Sequence, residues 1–116
     1  MMMAPVRIAA LALLFGTLPA AAAPLRYYAY NMTTRTDFKG VYLAPAGTQD
    51  WGPNQTVNDK DHSFDTTERL RLTGISAGRY DVKLVDGHGH SCIAHDKDLT
   101  HETSFEIRDA DLADCR

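Results

Sequence analysis

At 116 residues and a formal net charge of −3, the chain has room for a single domain. Its 12 Lys and Arg are outnumbered by 15 Asp and Glu and form no basic run, which argues against nucleic acid and anionic membrane as partners. Two cysteines leave only one possible intramolecular pairing.

Taken in order, the chain begins with a leader. Arg7 supplies a short positive region, Ile8 to Leu18 form an apolar run, and Pro19 to Ala23 are small residues. This three-part pattern predicts a cleaved secretory signal peptide over residues 1–22, with cleavage after Ala22 or Ala20. The apolar run falls short of the ~20 residues that a membrane-spanning helix needs. Residues 23–116 then form one domain exported to the periplasm or beyond, with no membrane attachment after cleavage. All 15 acidic residues lie in that part, but Arg7 does not, so the mature domain is mildly acidic.

Leu25 to Met32, rich in Tyr, reads as a first strand. Asn31-Met32-Thr33 matches an N-glycosylation sequon. Phe38 to Ala44 reads as a second strand, and its apolar residues on both faces predict a place inside a sheet. Pro45-Ala46-Gly47 ends it. A long polar loop then runs to Thr67, with Trp51 expected to fold back over the core as a lid. Arg69 to Ile75 gives a third strand, expected to pair with Tyr80 to Val85 across Gly74 to Gly78.

The stretch Gly78 to Gly87 is the most regular in the chain. Tyr80, Val82 and Leu84 alternate with Asp81 and Lys83, the period of a half-buried strand, and turn residues stand at both ends. Tyr80, two residues after Gly78, is placed to return its hydroxyl to the backbone between Leu72 and Gly78, in the manner of a tyrosine corner. Asp86 to His90 predicts a hairpin turn into Ser91 to His95. Thr103 to Ile107 is a last strand, and Asp109 is expected to cap a helical turn running through Leu112 to Cys115. The sum is an all-β fold: a small antiparallel, immunoglobulin-like β-sandwich of about six to seven strands with a short C-terminal helical turn.

Several of these pieces together resemble a family of small secreted proteobacterial proteins with no established activity. They are Asn31-x-Thr33, Tyr42-Leu43-Ala44-Pro45-x-Gly47, Trp51-Gly52-Pro53-Asn54, Tyr80 to Asp86, Cys92, and Asp111-Leu112-x-x-Cys115. The resemblance covers nearly the whole mature chain and implies a periplasmic, sandwich-like domain. Two places depart from the family's pattern: Thr66-Thr67-Glu68 stands where a Pro-Gly turn is frequent, and Gly78-Arg79 where a Cys occurs.

Candidate chemistry is sparse. Export to an oxidising compartment predicts a Cys92–Cys115 disulfide, which closes a loop of about 24 residues. His88-x-His90 on a turn, with His95 approaching across the hairpin, is a possible Zn²⁺ or Cu²⁺ ligand set; its plain alternative is a solvated turn. Asp59 to Asp65 places oxygen side chains at alternate positions as a Ca²⁺ loop does, but Phe64 stands where such a loop needs Gly. Ser63, Ser76, Ser91 and Ser104 lack nucleophile context, and the pairs Asp96/Asp98 and Asp109/Asp111 read as ordinary acidic turns. The aromatic set Tyr27, Tyr28, Tyr30, Tyr42 and Trp51 is a candidate recognition face, with Trp51 and Tyr42 the possible partner contacts. The expectation is a non-catalytic binding or structural domain without a cofactor, its partner an unidentified protein or small molecule. A metal-binding role for the His88/His90/His95 hairpin is the alternative, and a small enzyme a more distant one.

Overall fold

In the computed structural model, which describes Met3 and residues 24–116, Arg79–Asp86 (β4) is the middle strand of a three-stranded sheet. It is flanked on one side by Phe38–Pro45 (β2) and on the other by Ser91–Asp98 (β5), both antiparallel to it. A second sheet has Tyr27–Asn31 (β1) at its centre, between Arg69–Leu72 (β3) and Ser104–Ile107 (β6). Apart from Met3, the expected signal peptide lies outside the described residues, and among those no helix is long and apolar enough to cross a membrane. The described residues form a small all-β fold with two 3-10 turns, Gln55–Asn58 and Asp109–Leu112.

Alternation does the sorting. Tyr27 and Ala29 of β1, Leu70 and Leu72 of β3, and Phe105 and Ile107 of β6 turn to the inner side and pack with Val41, Leu43, Val82, Leu84 and Ala94 of the other sheet. Phe64, from the long loop, and Leu99 complete this one core. At roughly 25 cal/mol per Å² of apolar surface, burial of these residues is the main favourable term in folding.

Four sequence expectations are corrected here. β3 does not form a hairpin with β4: it pairs with β1, and the Gly74 to Gly78 connection carries the chain from one sheet to the other. Nor are all pairings antiparallel, since β1 and β6 run parallel. β2 is an edge strand, not an internal one. Its Phe38 is buried together with Val41 and Leu43 because a register shift between Phe38 and Gly40 brings both halves of the strand to the core side. Lastly, Asp109 does not cap the terminal turn. Asp111 does, accepting from the Arg108 N–H at 2.8 Å, while Asp109 accepts from the Thr34 N–H at 2.9 Å.

The edges of β2 and β3 are closed by side chains. Asn54 Oδ1 accepts from the Val41 N–H at 3.0 Å and its Nδ2 donates to the Lys39 carbonyl at 3.1 Å, so one amide stands in for a neighbouring strand of β2. Asn58 donates to the Arg71 carbonyl at 2.9 Å on the edge of β3. Gln55 makes a two-way pair with the backbone of Thr73, at 2.9 and 3.0 Å. Beyond β5, the C-terminal residues serve as a short strand: Ser91 and Arg116 exchange backbone hydrogen bonds at 2.9 and 2.7 Å, and Ile93 N–H donates to the Asp114 carbonyl at 2.9 Å. Between these bonds lies the Cys92–Cys115 disulfide, with Cα atoms 3.9 Å apart.

Candidate ligand-binding face

The outward side of the β2-β4-β5 sheet brings together Tyr42, Trp51, Lys83 and His95. Register sets Tyr42 opposite Lys83, and Lys83 opposite Ile93, in one row across three strands. Tyr42 lies over Gly40, where an added Cβ would fall 2.8 Å from the ring and 3.2 Å from Val85 Cβ; only glycine leaves the ring room. Trp51 reaches the same row because the Gly52 N–H donates to the Leu43 carbonyl at 2.8 Å, folding the loop back along the edge of β2. The Lys83 ammonium sits 4.9 Å from the Tyr42 ring centre and 5.2 Å from that of Trp51. Such cation–π contacts are worth about 0.5–1 kcal/mol at exposed sites. Trp51 is half-buried and stands outside the core cluster, so the expected lid is instead part of this outer face.

The next row holds a buried carboxylate. Asp81 falls on the outward parity of β4, yet it is only 7% exposed. A bulge explains it: β5 sets two residues, His95 and Asp96, opposite the one residue Asp81, and Asp96 takes a left-handed conformation at φ 58°. Asp81 closes the bulge by accepting from the Asp96 N–H at 2.9 Å, and it accepts from the Gly47 N–H at 3.0 Å, which pins the turn after β2. His95, in the same bulge, lies between two carboxylates: Nδ1 is 3.6 Å from Asp81 Oδ1 and Nε2 is 3.1 Å from Asp114 Oδ2. The hydrogen bond to Asp114 holds its pKa above the ordinary 6.5, and the Asp81 charge adds to it against partial desolvation.

Two shallow depressions on this face share Gln49, Ile93 and His95; one takes in Trp51, the other Ser91, Asp114 and Arg116. Ser91, His95 and Asp114 all line the latter, a serine, a histidine and an aspartate together. They do not make a hydrolytic triad. Both His95 ring nitrogens face carboxylates, and Ser91 lies four residues away along β5, about 13 Å at the rise of a strand.

The other sequence candidates disperse. His88 and His90 stand side by side in the β4–β5 turn, ring centres 6.3 Å apart, with His90 Nδ1 3.3 Å from Asp86. His95 is five residues beyond His90 along β5, about 16 Å at strand rise, and its partners are Asp81 and Asp114. The three imidazoles do not converge, and among the described residues no group of three or more His, Cys, Asp and Glu is placed to hold a metal ion. In the proposed Ca²⁺ loop, Asp59 accepts from the backbone of Asp61 and Ser63 at 2.9 and 3.3 Å, and Phe64 is buried against Phe38. The acidic pairs are also engaged: Asp96 and Asp98 with Arg79, and Asp111 with Lys97. The aromatic set is divided, with Tyr27 in the core and Tyr28 and Tyr30 on the far side of the other sheet.

Asn31 was singled out only as a sequon, and its place in the fold is quite different. Its side chain is 0% exposed, donates to the Thr36 and Phe64 carbonyls at 2.8 and 2.9 Å, and accepts from the Thr33 N–H and hydroxyl at 3.0 and 2.7 Å. The amide is fully used in the folded domain and offers no free nitrogen for a glycan. Asp81 was missed as well, because alternation assigns it to solvent; no local signal in the sequence reveals the bulge that covers it. Comparison of the chain with protein-family models, with curated proteins and with solved structures finds no match.

Proposed function

We propose that the protein is an exported, non-catalytic binding domain, and that its partner, a protein segment or a small molecule, docks on the Trp51–Lys83–Tyr42 face. The observation that carries this reading is the Lys83 ammonium set against two partly exposed aromatic rings, one of which, Trp51, also lines a depression with Ile93 and His95. Aromatic groups with an apolar body and a polar tip are the usual anchors of recognition surfaces. The engagement of every acidic pair and of both His95 nitrogens supports a binding role over a hydrolytic one. Export to the periplasm or outside the cell rests on the leader pattern, and the disulfide is compatible with it.

The test is a binding screen of peptides and oligosaccharides followed by the indole Nε1–H resonance of Trp51. A true ligand shifts that resonance, and Trp51→Ala and Tyr42→Ala remain folded and lose the interaction. Ligands that bind both variants as well as the parent would overturn this assignment.

A further inference from the structure

The opposite side of the molecule presents a second, chemically distinct surface. On the outward face of the β3-β1-β6 sheet, Tyr28 stands opposite Arg71 and Tyr30 opposite Arg69. The Arg69 guanidinium stacks on Tyr28, 4.4 Å from the ring centre. Arg26, just ahead of β1, is exposed, and so is Met32 just after it, at 46%. The only carboxylate of this face within the three strands, Glu106, is engaged by Arg108. Among the described residues no carboxylate lies within salt-bridge distance of Arg26, Arg69 or Arg71, although Arg79, Arg108 and Lys97 all have such partners. The chain is acidic overall, yet it gathers three unpaired arginines and two tyrosines on one sheet face. The sequence shows no basic run because β1 and β3 are some forty residues apart and meet only by pairing.

We infer that this face docks a short acidic segment of a partner protein. Three features choose that occupant. The charge is complementary: arginine guanidinium groups with no internal partner match carboxylates in two-pronged geometry. The composition is that of a protein interface, with Tyr, Arg and Met present and Lys absent. The shape is open: the four depressions around Ser91, His88, Ile75 and Trp51 take in none of these tyrosines or arginines, whereas small ligands take concave sites. Four residues of strand span about 13 Å and three strands about 10 Å, room for a segment of a few residues and not for a full-sized interface. Binding is therefore weak, and it falls as salt screens the arginines.

The experiment titrates the ¹⁵N-labelled protein, disulfide intact, with a hexaglutamate peptide at low and at physiological ionic strength. The expected result is amide shifts confined to Tyr28, Tyr30, Arg69, Arg71 and their neighbours, with lower affinity at the higher salt. Arg69→Glu/Arg71→Glu changes two exposed residues, so the fold should persist, while affinity drops by about tenfold or more. The charge-matched control Arg35→Glu/Lys39→Glu, which alters another groove, should bind as the parent does. Shifts elsewhere, equal affinity in the Arg69/Arg71 variant, or loss in the control would each overturn the proposal. So would a response to polygalacturonate with none to the peptide, which would make the surface one for acidic saccharides.

Discussion

The carboxylate of Asp81 accepts the backbone N–H of Asp96 across the β4–β5 ladder at 2.9 Å, so a buried acid holds open the one bulge from which His95 projects. The same carboxylate binds the Gly47 N–H, joining the β5 bulge to the turn after β2. Hydrogen bonds to a charged acceptor are worth about 1.5–3 kcal/mol each, and removing the acceptor leaves donors without partners. Asp81→Ala should lower stability by about 2–4 kcal/mol in urea denaturation, and Asp81→Asn by less, since one acceptor oxygen survives. Equal midpoints for all three proteins would show that the bulge does not depend on this acid.

The Tyr80 hydroxyl returns to the backbone as a tyrosine corner requires, although the ring is only partly buried where a corner would bury it. Its hydroxyl donates to the Ser76 carbonyl at 2.6 Å and accepts from the Ser76 N–H at 3.3 Å, while its half-buried ring packs on the core. Tyr80→Phe should cost about 1 kcal/mol, the usual net worth of such a bond. A variant with the parent's denaturation midpoint would leave the hydroxyl without a structural role.

Trp51 provides a sharper contrast. A lid on the core would lose about 3–5 kcal/mol on truncation to alanine, as buried aromatics do. Set on the outer face, Trp51→Ala should lose only about 1 kcal/mol, mostly the Lys83 contact. Thermal unfolding of the variant distinguishes the two, and a loss in the larger range would return Trp51 to the core.

The Cys92–Cys115 bond should account for about 3.4 kcal/mol of stability through the loop it closes. Alkylation of the intact protein should label no thiol before reduction and two after it, and Cys92→Ala/Cys115→Ala should unfold at a lower denaturant concentration. Two thiols labelled without reductant would show that the bridge does not form in the protein as made.

His95 predicts a dependence on pH. Its pKa is raised in the folded state by the Asp114 hydrogen bond, so the stabilisation it brings is complete below 6.5 and is lost as pH rises through the higher folded value. The stability difference between the parent and Asp114→Asn should therefore be greatest in mild acid, above the range where carboxylates protonate, and should close on the alkaline side. A difference that stays constant from pH 5 to pH 9 would count against the pair.

Strand positions were legible because alternation is local: Val82 and Leu84 point inward for the same reason that Lys83 points out. The pairing was not. Arg69 to Leu72 and Tyr80 to Val85 look like a hairpin to any local reading, and only the demand of β1 for a partner draws β3 to the other sheet. The disulfide was legible from the compartment that the leader pattern predicts and from simple counting. The candidate face was visible only in part, since Tyr42 and Trp51 carry an aromatic signal, whereas the places of Asp81 and His95 follow from a bulge that no residue type announces. The histidine set failed for a geometric reason: a strand separates residues by about 3.3 Å at each step, and His90 and His95 are kept apart by it.

Three amide side chains, Asn54, Gln55 and Asn58, seal the edges of β2 and β3, and this sets a chemical clock on the domain. Slow deamidation turns such a group into a carboxylate, which can accept but no longer donate. At Asn58 the Arg71 carbonyl would lose its donor, and at Asn54 the Lys39 carbonyl would lose one of two, the Thr56 hydroxyl at 3.2 Å remaining. Open strand edges are where chains begin to join into aggregates. A sample that ages should therefore gain negative charge first and cloud afterwards, with its core still packed when it does.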